Sequence, residues 1–210
     1  MTAAQPRGST EAAAVPVIGL TGAVAAGKSE ALAALGRLGA ATLSSDAIVH
    51  ELLVTGQVRE LLVERWGESV APQGSVDRAR VGEIVFERPE ELDWLESTLH
   101  PLVAERTMQW RSQLPAATPL AVIEVPLLFE VGLEAAFDAT ICVVAGDETR
   151  AERAGARGML DLEARAGRQL SQEEKAARAT YVVANDGTVA ELEAALSEIV
   201  NAIGERRDDA

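Results

Sequence analysis

Lys28 and Ser29 stand at the end of Gly22-Ala-Val-Ala-Ala-Gly-Lys-Ser29, a G-x-x-x-x-G-K-[ST] pattern. It follows the apolar run 17–21 and precedes a helical pattern over 29–38. That order matters physically. Backbone N–H groups of such a loop and of the helix N-terminus converge on one point and make an anion site. Lysine adds a point charge for β- and γ-phosphates, and serine a hydroxyl for Mg²⁺. The chain of 210 residues holds only two lysines, Lys28 and Lys175, against seventeen arginines. A lysine at this place is therefore not background, and the loop reads as a nucleotide site.

Three further constellations could serve phosphoryl transfer. Asp46 follows the second strand pattern, at the crevice end of an open α/β sheet. There it either takes a proton from an attacking hydroxyl, helps hold metal, or caps the helix that follows. Glu124 ends the apolar run Ala121-Val-Ile-Glu124. It either orients a water on Mg²⁺ or is an acid satisfied by an arginine. Arg153 and Arg157 are four apart and share a helix face. They close over phosphates on a lid that excludes water, or they pair with Glu148 and Glu152. Residues 150–178 carry seven cations, Lys175 and Arg178 included, against five acids, within a chain of net charge −14. A small anionic ligand is gathered locally. Broad binding to nucleic acid or anionic membrane is disfavoured.

The elements that must hold these residues alternate. Strand patterns fall at 17–21, 41–44, 120–125, 139–144 and 181–184, each short and apolar as a doubly covered parallel strand should be. Asp147, the capping box Ser171-x-x-Glu174 and the box Thr188-x-x-Glu191 sign helix starts. The last helix puts Leu192, Ala195, Leu196, Ile199 and Ile203 on one face. Residues 47–114 break the alternation with helices at 47–53, 58–66, 78–86, 89–99 and 102–114. They form either an acceptor-binding insertion or a layer that only covers the sheet. The fold expected is α/β, a parallel P-loop sheet of about five strands covered by helices. The organisation is a tail over 1–16, one domain over 17–204 with a lid at about 153–170, and an acidic tail over 205–210.

Cys142, the single cysteine, lies in Ile141-Cys-Val-Val144, so it reads as buried and inert. One cysteine permits no internal disulfide and favours the cytoplasm. His50 and His100 have no metal-spaced partner, so zinc is disfavoured. Trp66, Trp94 and Trp110 read as core. No charge-free stretch is long enough for a membrane span. No Asn-Lys-x-Asp or Asp-x-x-Gly appears, which speaks against a GTPase switch.

The motifs together resemble the dephospho-CoA kinase family over nearly the whole chain, from about 17 to 203. The pieces are the loop at 18–29, Ser44-Ser-Asp46 onward, Leu99-His-Pro-Leu-Val103, Glu124-Val-Pro-Leu-Leu-Phe-Glu130, and the run ending Val182-Val-Ala-Asn185. The resemblance implies a P-loop kinase that moves the γ-phosphoryl of ATP, with Mg²⁺, to the ribose 3′-hydroxyl of dephospho-CoA. Its partners are those small molecules, with no protein, nucleic acid or membrane. It implies that Ala25, Ala26, Gly27, Lys28, Ser29 and Glu30 bind ATP, with Lys28 on phosphate and metal on Ser29. Asp46 matches the general base, Arg153 and Arg157 the lid, and Asn185 and Gly187 the loop near adenine. Four departures stand out: Ser44 where an acid is usual, a P-loop with less glycine than is common, Glu30 where threonine is usual, and Thr180 for an aspartate. A different nucleoside or nucleotide kinase is the alternative enzyme, and an inactive nucleotide-binding module the alternative class.

Overall fold

The computed structural model describes residues 15–156 and 169–208. Five parallel strands form one sheet in the order β2-β3-β1-β4-β5. They are β1 Val17–Gly22, β2 Ala41–Ser44, β3 Ala121–Glu124, β4 Ala139–Val144 and β5 Tyr181–Ala184. Side-chain alternation splits each central strand between two cores. Ile18, Leu20 and Val122 face one, with Leu35, Leu192, Leu196 and Ile203. Val17, Ala121 and Ile123 face the other, with Trp110, Leu114 and Phe137. Both faces are covered, which is why these strands are apolar throughout.

The eight α-helices among the described residues are α1 Lys28–Arg37, α2 Ser45–Leu53, α3 Gly56–Trp66, α4 Arg78–Glu87, α5 Pro89–Ser112, α6 Asp147–Ala156, α7 Gln172–Arg178 and α8 Val189–Asp208. Helix α1 packs against α8 on the first core. Both expected capping boxes form. Ser171 Oγ accepts from Glu174 N–H, and Glu174 Oε2 from Ser171 N–H. Thr188 and Glu191 repeat the exchange.

The segment 45–112 carries its own core, built from Ile48, Leu52, Val58, Leu62, Val81, Leu95 and Leu99. Leu43 of β2 touches both this core and the sheet's second face. Glu91 ties α5 to α3. It accepts two bonds from Arg65 (2.9 and 3.3 Å) and one from Trp66 Nε1 (2.8 Å). Trp66 meets Trp94 edge-on, with centroids 5.1 Å apart.

Three expectations need correction. Helices at 89–99 and 102–114 are one helix, α5, with Pro101 inside it. A proline there removes one intrahelical bond and costs about 3 kcal/mol. Leu95 and Leu99 before it and Leu102 and Val103 after it pack on one core, and each buried leucine contributes about 1.5–3 kcal/mol, so the helix continues. The acidic tail is shorter than 205–210, because α8 runs to Asp208. The first tail ends before residue 16, since Pro16 C=O already accepts from Ala121 N–H at 2.8 Å. Residues 1–14 and most of the expected lid, 157–168, lie outside the described residues.

Candidate nucleotide site

Register brings the crevice residues into line. Leu20 of β1, Glu124 of β3 and Ser44 of β2 lie side by side in the sheet. The P-loop leaves β1 two residues later. Gly22 has φ +151° and runs so close to β4 that a Cβ would sit 2.4 Å from the Val143 carbonyl oxygen. Ala25 adopts φ +61°, a left-handed position that a Cβ makes costly by roughly 1–2 kcal/mol. Here the glycine-poor loop keeps its shape against a local penalty, so the surrounding contacts must hold it.

Those contacts converge on one carbonyl. Asn185, only 5% exposed, donates Nδ2–H to Ala26 C=O at 2.9 Å. Arg153 adds a longer bond from Nη1 at 3.4 Å. Next door, Gly146 N–H donates to Asp186 Oδ1 at 2.7 Å. That bond, with a second from Thr149 and the Arg153 charge, holds the Asp186 carboxyl below its ordinary range. The β4 and β5 exits are thus fastened to each other and to the loop.

Lys28 folds back over the loop. Its Nζ donates to the Gly22 and Ala23 carbonyls, both at 3.0 Å. Burial is the main force that pulls its pKa below the ordinary lysine value. Glu124 opposes the shift, Lys175 adds to it, and Asp46 opposes it more weakly. The two acids are therefore close enough for their charges to act on this ammonium. Glu124 is only 7% exposed, and no described arginine pairs with it. Ser29 is exposed in the first turn of α1. Glu30 turns its carboxylate to Arg37 at 3.1 Å, so it shares the loop through its backbone, bonded to Gly27 C=O at 3.0 Å.

Asp46 is exposed in the first turn of α2. It is not the cap of that helix. Ser44 is, its Oγ accepting from Ala47 N–H at 3.5 Å. Ser44 has taken the capping position, and Asp46 is left with its carboxylate uncommitted to a cap. Gly187 lies beside Glu191, whose Oε2 a Cβ would meet at 2.2 Å. Arg157 lies outside the described residues.

Sequence reasoning missed three partners. Lys175, placed there among ligand-gathering cations, is wholly buried and pairs with Glu130 at 2.9 Å. Arg178 pairs with Glu134 and covers the Phe129 ring. Asn185 serves the loop backbone, and no spacing in the chain announces that. Only the scarcity of lysine pointed at Lys175. Cys142 is buried as expected, and burial pushes its thiol up to about 11.

Oxygen donors are what the site offers: the Ser29 hydroxyl, Glu124 and Asp46. Among the described residues no three His, Cys, Asp or Glu side chains form a metal cage. This donor set suits Mg²⁺, which keeps waters and substrate phosphates in its shell.

A family model described as dephospho-CoA kinase matches residues 16–191. Among similar proteins, the dephospho-CoA kinase of Thermobifida fusca is 37% identical over 187 residues, spanning 87% of this chain and 93% of that protein. That of Symbiobacterium thermophilum is 40% identical over 189 residues, 85% of this chain and 79% of that protein. A solved structure from Thermus thermophilus, TT1252, superposes with a TM-score of 0.78 at 34% identity, covering 90% of this chain and 98% of its own.

Proposed function

The chain belongs to the dephospho-CoA kinase family, and from that we propose how its residues work. The reaction is transfer of the γ-phosphoryl of ATP to the ribose 3′-hydroxyl of dephospho-CoA. It yields coenzyme A and ADP, the last step of coenzyme A synthesis. Positioning and charge neutralisation supply most of the rate.

The observation that carries the assignment is one P-loop crevice, where strand register sets Glu124 between Ser44 and Leu20 while Lys28 and Asp46 open the helices that leave β1 and β2. ATP draws the Lys28 ammonium from the Gly22 and Ala23 carbonyls to its β- and γ-phosphates. Loop amides from Ala25 to Glu30 cradle the phosphates, since loop N–H groups and the α1 N-terminus favour anions. Ser29 and Glu124 are the residues that would hold Mg²⁺, which when bound would supply charge neutralisation on the phosphates. Asp46, exposed and free of capping duty, accepts the hydroxyl proton. Arg153, already on the Ala26 carbonyl, shifts to the transferred phosphoryl. Gly187 borders the base, and Asn185, bonded to the Ala26 carbonyl, holds the loop that meets the phosphates.

The helical segment 47–114 receives the acceptor. A cavity of about 320 Å³ supports this, opening between α2, α3 and α5 and lined by Leu52, Gln57, Leu102, Arg106 and Gln109 among others. Its lining is mostly polar: Thr55, Gln57, Gln109, Arg106 and Glu105 surround Leu52 and Leu102, which suits an acceptor with hydrogen-bonding parts. No described helix is long and apolar enough to cross a membrane, and we place the enzyme in the cytoplasm with small-molecule partners only.

An acceptor panel tests the reading. Radiolabelled ATP is offered with dephospho-CoA, nucleosides and nucleotides. The highest kcat/KM belongs to dephospho-CoA. A nucleoside or nucleotide preferred over it would assign the chain to another kinase of the same core.

A further inference from the structure

Lys175 is a charged group that the mechanism above does not use. It lies on α7, is 0% exposed, and is the second of two lysines in a chain that otherwise uses arginine. Burying an ammonium costs several kcal/mol unless it is well paired. A packing role alone would be met by leucine or methionine. What its Nζ touches is therefore informative.

It donates to the Pro126 carbonyl at 2.6 Å and to Glu130 Oε1 at 2.9 Å. Both partners lie in the turn that follows Glu124. The same Pro126 oxygen also accepts from Thr21 Oγ1 at 3.2 Å. Thr21 is buried in β1, one residue before Gly22, whose carbonyl takes Lys28. Val125 N–H extends the ladder to Leu20 C=O at 2.9 Å. Leu128 presses on Gly19 so closely that a Cβ there would sit 2.4 Å from Leu128 Cδ1. These contacts fasten the β3 exit to β1. The two strand ends so joined carry Glu124 and the P-loop. Glu130 also accepts from Leu170 N–H at 2.9 Å, and its Oε2 is buried without a partner among the described residues.

We propose that Lys175 is a positioning residue for phosphoryl transfer: through Pro126 and Glu130 it holds the β3 exit against the P-loop strand and so fixes where the Glu124 carboxylate stands relative to Lys28. The proposal rests on the kinase reading given above. Lys175 has no contact with substrate in it. It acts through backbone placement, and small misplacements of a group that serves the transition state cost up to about a hundredfold in rate. Its charge also bears on Lys28 directly, as one of the influences that lower that lysine's proton affinity.

The test is the double variant Lys175→Met with Glu130→Gln. It removes both buried charges together, so no unpaired ion remains, and the amide oxygen that replaces the carboxylate can still accept from Leu170 N–H. Thermal unfolding stays near wild type, because a buried pair exchanged for neutral groups of similar size is close to neutral. Yet kcat for phosphate transfer falls about tenfold or more, while KM for ATP stays within about twofold, the sign of an interaction needed in the transition state. A stable double variant with wild-type kcat overturns the proposal, and so does a loss confined to KM. Thr21→Val, which removes only the second donor to Pro126, lowers kcat about threefold with the fold kept. Unchanged kcat there overturns the proposal even where the double variant does not fold. Calorimetry of ATP with and without Mg²⁺ reads the same placement without turnover. The gain in affinity that Mg²⁺ brings shrinks about fivefold in the double variant, the loss expected of a displaced outer partner of the metal, and an unchanged gain overturns the proposal. A wild-type chain that transfers no phosphate defeats the kinase reading instead, and the calorimetric comparison still decides the role of Lys175.

Discussion

Replacing Gly27 with alanine drives the new methyl into Asn185. A Cβ built there lies 2.0 Å from Asn185 Nδ2 and 3.4 Å from Arg153 Nη1, so Asn185 must leave the Ala26 carbonyl. The cost has three parts. Alanine at φ +98° is strained by roughly 1–2 kcal/mol. The lost amide bond costs about 1 kcal/mol, and the carbonyl, left with only the 3.4 Å bond from Arg153, about 1 more. Gly27→Ala should therefore lose about 3–4 kcal/mol. Asn185→Ala should lose about 1–2 kcal/mol, since it removes the same bond without the clash. In the double variant the clash partner is gone and the bond can be lost only once. Its loss should fall short of the additive sum by about 1–2 kcal/mol. Urea unfolding of the four proteins measures this. Additivity within about 0.5 kcal/mol would refute the idea that Gly27 and Asn185 meet at the Ala26 carbonyl. Nucleotide binding gives a second reading. If Asn185 acts on the loop backbone, Asn185→Ala weakens ATP and GTP by the same factor. A loss for ATP alone would move Asn185 from the loop to the base.

Asp46→Asn should leave stability unchanged, because Ser44 is the cap of α2, while turnover falls about 10²–10⁴-fold; wild-type turnover in that variant would remove Asp46 as the base. Lys28 has its pKa lowered chiefly by burial, so the unfolded chain keeps this proton to higher pH than the folded one. Between the folded and ordinary values, stability should rise with pH through this residue, while ATP affinity falls as the charge is lost. Lys28→Met should abolish both slopes and most turnover, and slopes that persist in that variant belong to another group. Glu91 titrates below its ordinary range, held there by Arg65 first and Trp66 second. Its contribution is fully present above the unfolded glutamate value and lost as pH falls through the folded one. Glu91→Gln should flatten that acid limb in thermal melts, and an unaltered limb would place the acid sensitivity elsewhere.

Backbone periodicity explains what was legible from the chain. All five strands were marked by short runs, clearest in β1, β3 and β4, because parallel strands covered on both faces have no solvent side to blur the pattern. The P-loop was legible because its chemistry is local: Gly22, Gly27, Lys28 and Ser29 are consecutive or nearly so. Both capping boxes are likewise local. What was hidden depends on contacts across the chain. Asn185 reaches Ala26 across 159 residues, and Lys175 reaches Pro126 across 49. Nothing in local composition separates a lysine that gathers ligand from one that is buried. Pro101 misled for the opposite reason. Its local rule is strong, but the packing of Leu95, Leu99 and Leu102 on one core outweighs it. The capping role of Ser44, which frees Asp46, was obscured because both residue types cap helices well.

The central claim is that this crevice phosphorylates one hydroxyl of one acceptor. Incubating the protein with dephospho-CoA and Mg·ATP, then analysing the product by mass spectrometry and phosphorus NMR, tests it most directly. The account predicts a gain of one phosphate, located on the ribose 3′-oxygen, with ADP formed in equal amount, and no product from Lys28→Met. ATP consumed without phosphate appearing on the acceptor, or phosphate on another oxygen, would contradict it.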